Sequence, residues 1–300
     1  MSRPAPNTLT ALGTAGGPMQ NPDRSQPAFL LMNGTRPVLI DCGEGTMRQL
    51  KRAGVEFREV SEIFLTHHHF DHIGSLFTCL GVNMMTMRRT PLTVYGPPGT
   101  ARITAGLFDA CDVPQEIGFG VAGQTMPHPR DFVHVHEVQP NEVLTLDGMA
   151  VTACENTHYR AETAFGTDGP ISLSFRFDLP GRSVVLTGDT GVCRAVEELA
   201  KGADLMIGEL MDLDITMQRV RLNNPTVPEA QIDKIRQHLS SHHLSPEELG
   251  DLAAAAGVAH VVAVHFPPGI ATPQSAPAYT ARIAARFAGR IDIGTDLATY

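Results

Sequence analysis

The sequence is poor in cysteine, and its cysteines follow no pattern typical of disulfide or zinc binding. Five cysteines occur in 300 residues, at positions 42, 79, 111, 154 and 193. The number is odd and no Cys-x-x-Cys pair is present, which argues against a disulfide framework and against a thiolate zinc site. We therefore predict that the cysteines are reduced, small core residues.

Basic residues and long apolar runs are also scarce. The chain has 23 Lys and Arg against 32 Asp and Glu, a formal net charge of -9. This balance argues against a broad basic nucleic-acid-binding face. The first residues contain no apolar stretch long enough for a signal peptide or a membrane helix, so we expect a cytoplasmic protein. Hydrophobic residues make up 42%, enough for a large core, and we expect one domain over residues 1–300.

Two common catalytic motifs are missing. There is no Gly-x-Ser-x-Gly elbow of a serine hydrolase and no phosphate-binding P-loop. Short β-branched apolar runs instead alternate with helical segments, which predicts an α/β fold. The best-defined helix is Pro246–Ala256, with Ser245 as N-cap, a capping-box glutamate at Glu248 and Gly257 as terminator.

Histidine and aspartate residues stand where several predicted strands end. The run Ile63-Phe64-Leu65 leads into the stretch THHHFDH, and similar strands end at a single polar residue further along the chain. These candidate ligands are His67, His69, Asp71, His72, His158, Asp189 and His265. Imidazoles and carboxylates suit zinc and similar divalent ions, and a rigid sheet can fix their geometry.

The spacing within THHHFDH predicts two metal ions. The alternate residues His67 and His69 can face one ion, while Asp71 and His72, on the next bend, reach a second. His68 and Phe70 then point elsewhere. Two ions about 3.5–4 Å apart can share one hydroxide and flank a displaced oxygen, which is the machinery of hydrolysis.

These motifs together resemble a known family. The matching segments are LGT at Leu12–Thr14, IDCGEGT at Ile40–Thr46, THHHFDH at Thr66–His72, LTGDT at Leu186–Thr190 and the histidines near the C terminus. They look like the metallo-β-lactamase superfamily, and in it like the ribonuclease Z, arylsulfatase and cyclic-phosphodiesterase branch. The resemblance implies a four-layer αββα sandwich, the metallo-β-lactamase fold.

The resemblance also implies a ligand set for two divalent ions, zinc first, with manganese or iron as alternatives. The first ion would be bound by His67, His69 and His158. The second would be bound by Asp71, His72 and His265, and Asp189 would bridge the two.

A proton donor is expected just before the helix that begins at Pro246. His243 lies two residues before its N-cap, and its spacing to Gly257 and His265 looks like that of the ribonuclease Z branch, where the equivalent histidine helps to protonate the leaving group. His242 is the alternative, because the sequence does not exclude the other register.

Two further groups of polar residues are open to two interpretations. In DCGEGT, Asp41 and Glu44 either orient the ligand histidines or form the turn. His134 and His136 lie on one face of a predicted strand, and without a carboxylate at metal-ligand spacing we interpret them as exposed edge residues.

The predicted reaction is hydrolysis of a small ester, a phosphodiester or aryl sulfate before a lactone or carboxylic ester. A metal-bound hydroxide would be the nucleophile, Asp71 would help to position it, and His243 would be the general acid. The Gly- and Lys-rich arm that grips tRNA in many ribonucleases Z has no counterpart between His158 and Asp189. With the acidic net charge, this makes nucleic acid an unlikely partner.

The alternatives are a tRNA 3′-processing endonuclease and a non-hydrolytic metal-binding module. We also expect a homodimer.

Overall fold

The computed structural model describes residues 3–159 and 169–300. Contacts between Cα atoms divide the chain into two compact units. The first comprises Met1–Thr14, Pro22–Gln139 and Thr295–Tyr300, and the second comprises Ala15–Asn21 and Pro140–Gly294. The expectation of a single domain over residues 1–300 stays a prediction.

The first unit contains a six-stranded mixed sheet in the order β1-β2-β3-β4-β5-β6. Its strands are β1 (Leu9–Gly13), β2 (Ala28–Asn33), β3 (Arg36–Ile40), β4 (Glu62–Phe64), β5 (Leu92–Gly96) and β6 (Val133–Glu137). The first three are antiparallel neighbours, and β3 to β6 are parallel. Its helices are α1 (Thr46–Arg52), α2 (Phe70–Ile73), α3 (Leu76–Met85) and α4 (Thr100–Ile117).

The second unit contains a seven-stranded mixed sheet in the order β13-β12-β11-β10-β9-β8-β7. Its strands are β7 (Val143–Leu146), β8 (Met149–Glu155), β9 (Leu173–Leu179), β10 (Arg182–Leu186), β11 (Leu205–Glu209), β12 (His260–Val264) and β13 (Arg290–Ile293). Strands β7 to β10 are antiparallel and β10 to β13 are parallel. Its helices are α5 (Arg194–Leu199), α6 (Leu213–Asn223), α7 (Glu229–His242), α8 (Pro246–Ala256) and α9 (Ala276–Ala284).

Each unit has its own apolar core. Strands β3, β4 and β5 contribute Leu39, Ile63 and Val94 to the first, and all three are fully buried. The second core is built from strands β10 to β12 and from α8, whose Leu249 and Ala253 are fully buried. Strands that are buried on both faces have nearly continuous apolar sequences, and for this reason the sequence predicted these strands well.

The sequence prediction of α/β structure and of helix α8 is confirmed. The Ser245 hydroxyl accepts the Glu248 N–H, the Glu248 carboxylate accepts the Ser245 N–H, and Gly257 ends the helix at a left-handed φ of 65°. The sequence did not predict α3, α6 or α7. Helices α6 and α7 bury only Met217, Ile232 and His242, so they contribute little to the apolar core.

Two smaller predictions can also be assessed. The five cysteines are free thiols in the structure, and only Cys193 is partly exposed, which confirms the expectation of reduced core residues. Among the described residues, no helix combines the length and the apolar character needed to cross a membrane.

The C-terminal residues complete the first unit. Residues 297–300 form backbone hydrogen bonds with Leu9 and Ala11 of β1. Next to them, the Asp296 carboxylate accepts hydrogen bonds from the N–H and hydroxyl of Thr14, the N–H of Ser25 and the side-chain amide of Gln49, at 2.7–3.1 Å. One carboxylate therefore joins three separate segments of this unit.

We predict that Asp296→Ala lowers the free energy of unfolding by roughly 2–4 kcal/mol, because several donors lose a charged acceptor in a part-buried position. Urea denaturation followed by circular dichroism measures the change. Asp109→Ala is the matched control. Its side chain is 73% exposed and pairs only at the surface with Arg130, so it should change stability by less than about 0.5 kcal/mol. Equal stability of Asp296→Ala and the parent would contradict the assigned role.

Candidate metal centre

The first pair of predicted ligands converges in the turn after β4. His67 and His69 bring Nε2 and Nδ1 to within 3.2 Å of each other. The His67 ring is fully buried, whereas His69 lies at the surface. Two imidazole nitrogens at this distance can share a proton or coordinate one cation, so the geometry suits the shared metal ion that the spacing predicts.

The next two predicted ligands lie in the short helix α2. The carboxylate of Asp71 is 3.6 Å from His72 Nε2, and both side chains are buried. The residues between the predicted ligands have different surroundings. His68 Nε2 lies 2.8 Å from the Thr100 hydroxyl, and the Phe70 ring is 85% exposed.

Asp41 holds the ligand turn from the end of β3. Its carboxylate accepts hydrogen bonds from the backbone N–H of Thr66 at 2.8 Å, from the Thr66 hydroxyl and from His72 Nδ1 at 2.8 Å. Because a carboxylate only accepts, His72 must carry its proton on Nδ1, which leaves Nε2 as the ligand atom. Asp41 also has a left-handed φ of 56°, so it shapes the turn as well. Glu44, the other acidic residue of the turn, is exposed.

The backbone of this turn is fixed by close glycine contacts. A Cβ atom at Gly43 would lie 2.1 Å from the carbonyl oxygen of Asp71, and one at Gly74 would lie 2.8 Å from that of Phe70. The N–H of Cys42 donates to the carbonyl of His72 at 2.7 Å. A larger residue at Gly43 would therefore displace the turn that carries the ligands.

The second unit contributes the remaining predicted ligands. Asp189 follows β10, and its Oδ2 lies 3.1 Å from His265 Nε2 and 3.7 Å from His158 Nε2. All three side chains are buried. His158 donates through Nδ1 to the carbonyl of His242 at 3.2 Å, which directs Nε2 towards Asp189. His265 has a left-handed φ of 64°, a costly conformation for a non-glycine residue that is typical of functional sites.

The sequence prediction missed a buried glutamate. Glu209 ends β11, and its Oε2 accepts a hydrogen bond from His243 Nδ1 at 2.7 Å while Oε1 accepts one from the Thr190 N–H at 2.5 Å. His265 Nδ1 lies 3.9 Å from the same carboxylate. The rule that found Asp189 and His265, a polar residue at the end of an apolar strand, applies equally to Glu209 and would have found it.

The Glu209–His243 pair shifts the pKa of both partners. Burial raises the pKa of Glu209, although the attraction of His243 opposes the shift. Burial favours the neutral form of His243, but the neighbouring Glu209 carboxylate outweighs it and raises the pKa of His243 above its ordinary value. The imidazole is therefore held in a position where its charged form is stabilised.

The alternative proton donor, His242, faces a different environment. Its Nδ1 donates to the carbonyl of Thr157 at 2.7 Å, and its ring packs 4.6 Å from the His238 ring. His242 therefore supports the loop that carries His158. His134 and His136 lie on the edge strand β6, where His134 is exposed, in agreement with the interpretation of an exposed edge.

The donor chemistry of each unit suits a divalent cation. The ligand atoms are imidazole nitrogens and carboxylate oxygens, and most of them are buried. Buried carboxylates are costly unless a cation or several donors compensate their charge. Nitrogen and oxygen donors of this kind are those that zinc, manganese and iron prefer.

A protein-family model described as the beta-lactamase superfamily domain matches residues 36–266 of this chain. The chain belongs to the β-lactamase superfamily. The chain is 32% identical over 292 residues to a protein named ribonuclease Z from Mycobacterium avium, with 96% of each sequence covered. It is 31% identical to a protein of the same name from Mycobacterium tuberculosis, also with 96% of each covered. The predicted family and branch are therefore confirmed.

Solved structures of this superfamily share the fold. The metallo-β-lactamase fold protein YhfI from Bacillus subtilis matches with a TM-score of 0.70 at 18% identity, and the human tRNase Z short form with 0.65 at 20% identity. Each alignment covers 98% of both chains. The predicted fold class, the αββα metallo-β-lactamase fold, is confirmed. The chain is a metal-dependent hydrolase of ester bonds, and its histidine and aspartate ligands indicate divalent metal binding.

Two predictions from the sequence were wrong. Relatives covering nearly the whole chain are named ribonuclease Z, which contradicts the assignment of a small ester substrate and the judgement that nucleic acid is an unlikely partner. Of the two arguments behind this assignment, the missing arm and the charge, the second treated the net charge of -9 as a property of the site. Net charge sums over the whole surface and omits bound divalent ions, which are often the largest local charges in a site.

We predict that Asp41→Asn weakens metal binding by roughly 10- to 100-fold, because the amide cannot hold His72 in the required tautomer as a carboxylate does. Competition with a chromophoric chelator measures the metal affinity. Glu44→Gln, in the same turn, is the matched control and should leave the affinity unchanged. Equal affinities of Asp41→Asn and Glu44→Gln would show that Asp41 only shapes the turn.

Proposed function

We propose that this chain is a tRNA 3′-processing endonuclease of the ribonuclease Z type. The observation that carries the proposal is the identity of 32% over 96% of the chain to a protein named ribonuclease Z. The name of the structural neighbour, tRNase Z, indicates a tRNA substrate for that protein, and the ligands, the Glu209–His243 pair and the branch of the superfamily are consistent with phosphodiester hydrolysis.

We propose two metal ions, zinc in the first instance, with the ligands that the family resemblance implies. His67, His69 and His158 would bind one ion, and Asp71, His72 and His265 the other, with Asp189 between them. When bound, the ions would supply Lewis-acid activation of water and compensation of phosphate charge. The short distances inside each unit, 3.2 Å between the His67 and His69 nitrogens and 3.1 Å between His265 and Asp189, support this assignment.

The protein's own residues then have separate roles in cleavage. Asp71 and Asp189 accept hydrogen bonds from the attacking water and orient it towards phosphorus. The new bond joins the water oxygen to phosphorus while the water gives one proton to Asp71, and the bond that breaks joins phosphorus to the leaving oxygen. His243, held by Glu209 at 2.7 Å, donates its proton to that oxygen. Asp41 acts through His72 and keeps it in the metal-binding tautomer.

Two further expectations belong to this proposal. We expect the enzyme in the cytoplasm, where tRNA precursors are processed, and we expect a homodimer. The missing tRNA-gripping arm between His158 and Asp189 means that other surfaces of this chain must bind the body of the tRNA, because phosphate contacts supply most of the affinity for nucleic acid.

The proposal is tested with a 3′-extended tRNA and enzyme loaded with zinc or manganese. We expect one endonucleolytic cut, and we expect His67→Ala to abolish it because a metal ligand is lost. His68→Ala is the matched control, since His68 is a histidine of the same motif, is not among the predicted ligands, and contacts the Thr100 hydroxyl. It should retain most of the activity. Intact tRNA with both metals would refute the proposed function.

The role of His243 is tested by changing the leaving group. We expect His243→Ala to lower kcat by roughly 10²- to 10⁴-fold on the normal tRNA precursor, because the departing oxygen needs a proton. In a second precursor, sulfur replaces that bridging oxygen. A thiolate leaves without protonation, so the variant should cleave this precursor nearly as fast as the parent does. His134→Ala, on the exposed edge strand, serves as the control. An equal loss on both substrates would exclude His243 as the general acid.

A further inference from the structure

Phe70 is the most exposed of the large apolar side chains in the described part of the chain. Its ring is 85% accessible, compared with 78% for Leu222 and 51% for Phe119. A single exposed apolar side chain is common on protein surfaces and by itself indicates nothing. The position of Phe70 distinguishes it, because it stands between His69 and Asp71, two of the predicted metal ligands.

The ring projects from a rigid support. The carbonyl of Phe70 lies against Gly74, and the carbonyl of the next residue, Asp71, lies against Gly43. The N–H of His72 donates to the carbonyl of His69 at 3.0 Å, which closes the turn around Phe70. Since Asp71 and His72 on the C-terminal side are buried, the backbone of Phe70 cannot move without displacing predicted ligands. The Cα atom from which the exposed ring projects is therefore held one residue from a predicted ligand on either side.

The chemistry of an exposed ring on a fixed backbone suits a nucleobase. An aromatic side chain has only two side-chain torsions, so it loses little entropy when a flat group stacks on it. Proteins that bind single-stranded nucleic acid use such rings as platforms, and the contact tolerates any base because every base has a π face. Because Phe70 is the chain neighbour of both His69 and Asp71, its exposed ring is within reach of a nucleotide that flanks a phosphate bound at these predicted ligands.

We propose that Phe70 is a substrate-positioning residue that stacks on the base of a nucleotide flanking the scissile phosphate. This inference rests on the proposed function, since it requires an RNA substrate. It adds that the chain recognises an unpaired nucleotide at the cut through the flat face of its base. The contact does not distinguish one base from another. The stack forms in both the bound substrate and the transition state, so it acts on KM more than on kcat.

The first experiment measures steady-state cleavage of a 3′-extended tRNA by Phe70 variants. Phe70→Leu keeps an exposed apolar side chain but removes the π face, and we expect kcat/KM to fall by roughly 5- to 150-fold, mainly through KM. Phe70→Tyr retains the ring and should remain close to the parent. Phe119→Leu, the same change at another exposed phenylalanine, is the matched control and should have no effect.

The second experiment removes the base instead of the ring. Two precursors carry an abasic nucleotide, one on each side of the cut. On one of them, kcat/KM of the parent enzyme should fall by the same factor by which Phe70→Leu lowers it on normal RNA. On that precursor the Phe70→Leu substitution should cause no further decrease. Equal effects of the substitution on normal RNA and on both abasic precursors would overturn the stacking role, because the ring would then act through something other than a base.

A third measurement detects binding without turnover. The chain contains no tryptophan, so Phe70→Trp introduces a single indole whose emission is quenched by a stacked base. In a His67→Ala background, which does not cleave, we expect quenching by the normal precursor and a loss of quenching by one abasic precursor. Unchanged emission with every precursor that binds would overturn the inference.

The two proposals fail differently. If the parent cleaves tRNA precursors and Phe70→Leu cleaves them equally well, the stacking role is wrong and the proposed function stands. If the parent cleaves no precursor with either metal and binds none, the proposed function is wrong and the stacking role falls with it.

Discussion

The burial of carboxylates constrains this structure more than any other feature. Asp41, Asp71, Asp189 and Glu209 are each 6% exposed or less, and an isolated buried carboxylate is strongly unfavourable. The first unit compensates Asp41 with two donors from Thr66 and one from an imidazole. The second compensates Glu209 with His243 and a backbone N–H. Asp71 and Asp189 stand beside imidazoles instead, and this is the environment in which a divalent cation supplies the missing positive charge.

Glycines permit the close packing that this arrangement needs. Besides the contact of Gly43 with the ligand turn, a Cβ atom at Gly16 would lie 2.4 Å from Nδ1 of His265. The GTAGG segment that contains Gly16 is too weak a motif to indicate phosphate binding. In the structure it gives space to the ring of His265, a predicted metal ligand. Replacing Gly16 by alanine would therefore move His265, which already has an unusual backbone conformation.

The error about the substrate has a physical lesson. The formal charge of -9 includes the carboxylates that the protein has buried around the ligands, and it excludes the charges of the ions they bind. A phosphate backbone that approached the site would meet the local field, to which bound cations would contribute most. The sequence does not predict that local field, because a formal net charge does not say where the charged groups lie. The similarity to ribonuclease Z proteins over 96% of the chain corrected the assignment.

The sequence by itself determined the features that depend on neighbouring residues. The apolar strands, the candidate ligands at their ends and the capped helix α8 all follow from local patterns, which fix backbone direction and side-chain order over a few residues. Only the tertiary structure decided the pairings between distant segments: Asp41 with His72, Glu209 with His243 and Thr157 with His242. These contacts join residues 31 to 85 positions apart. They set the tautomer and the hydrogen-bond partner of each histidine. Hydrogen bonds between residues so far apart in the sequence depend on how the strands and loops pack, which no local sequence pattern indicates.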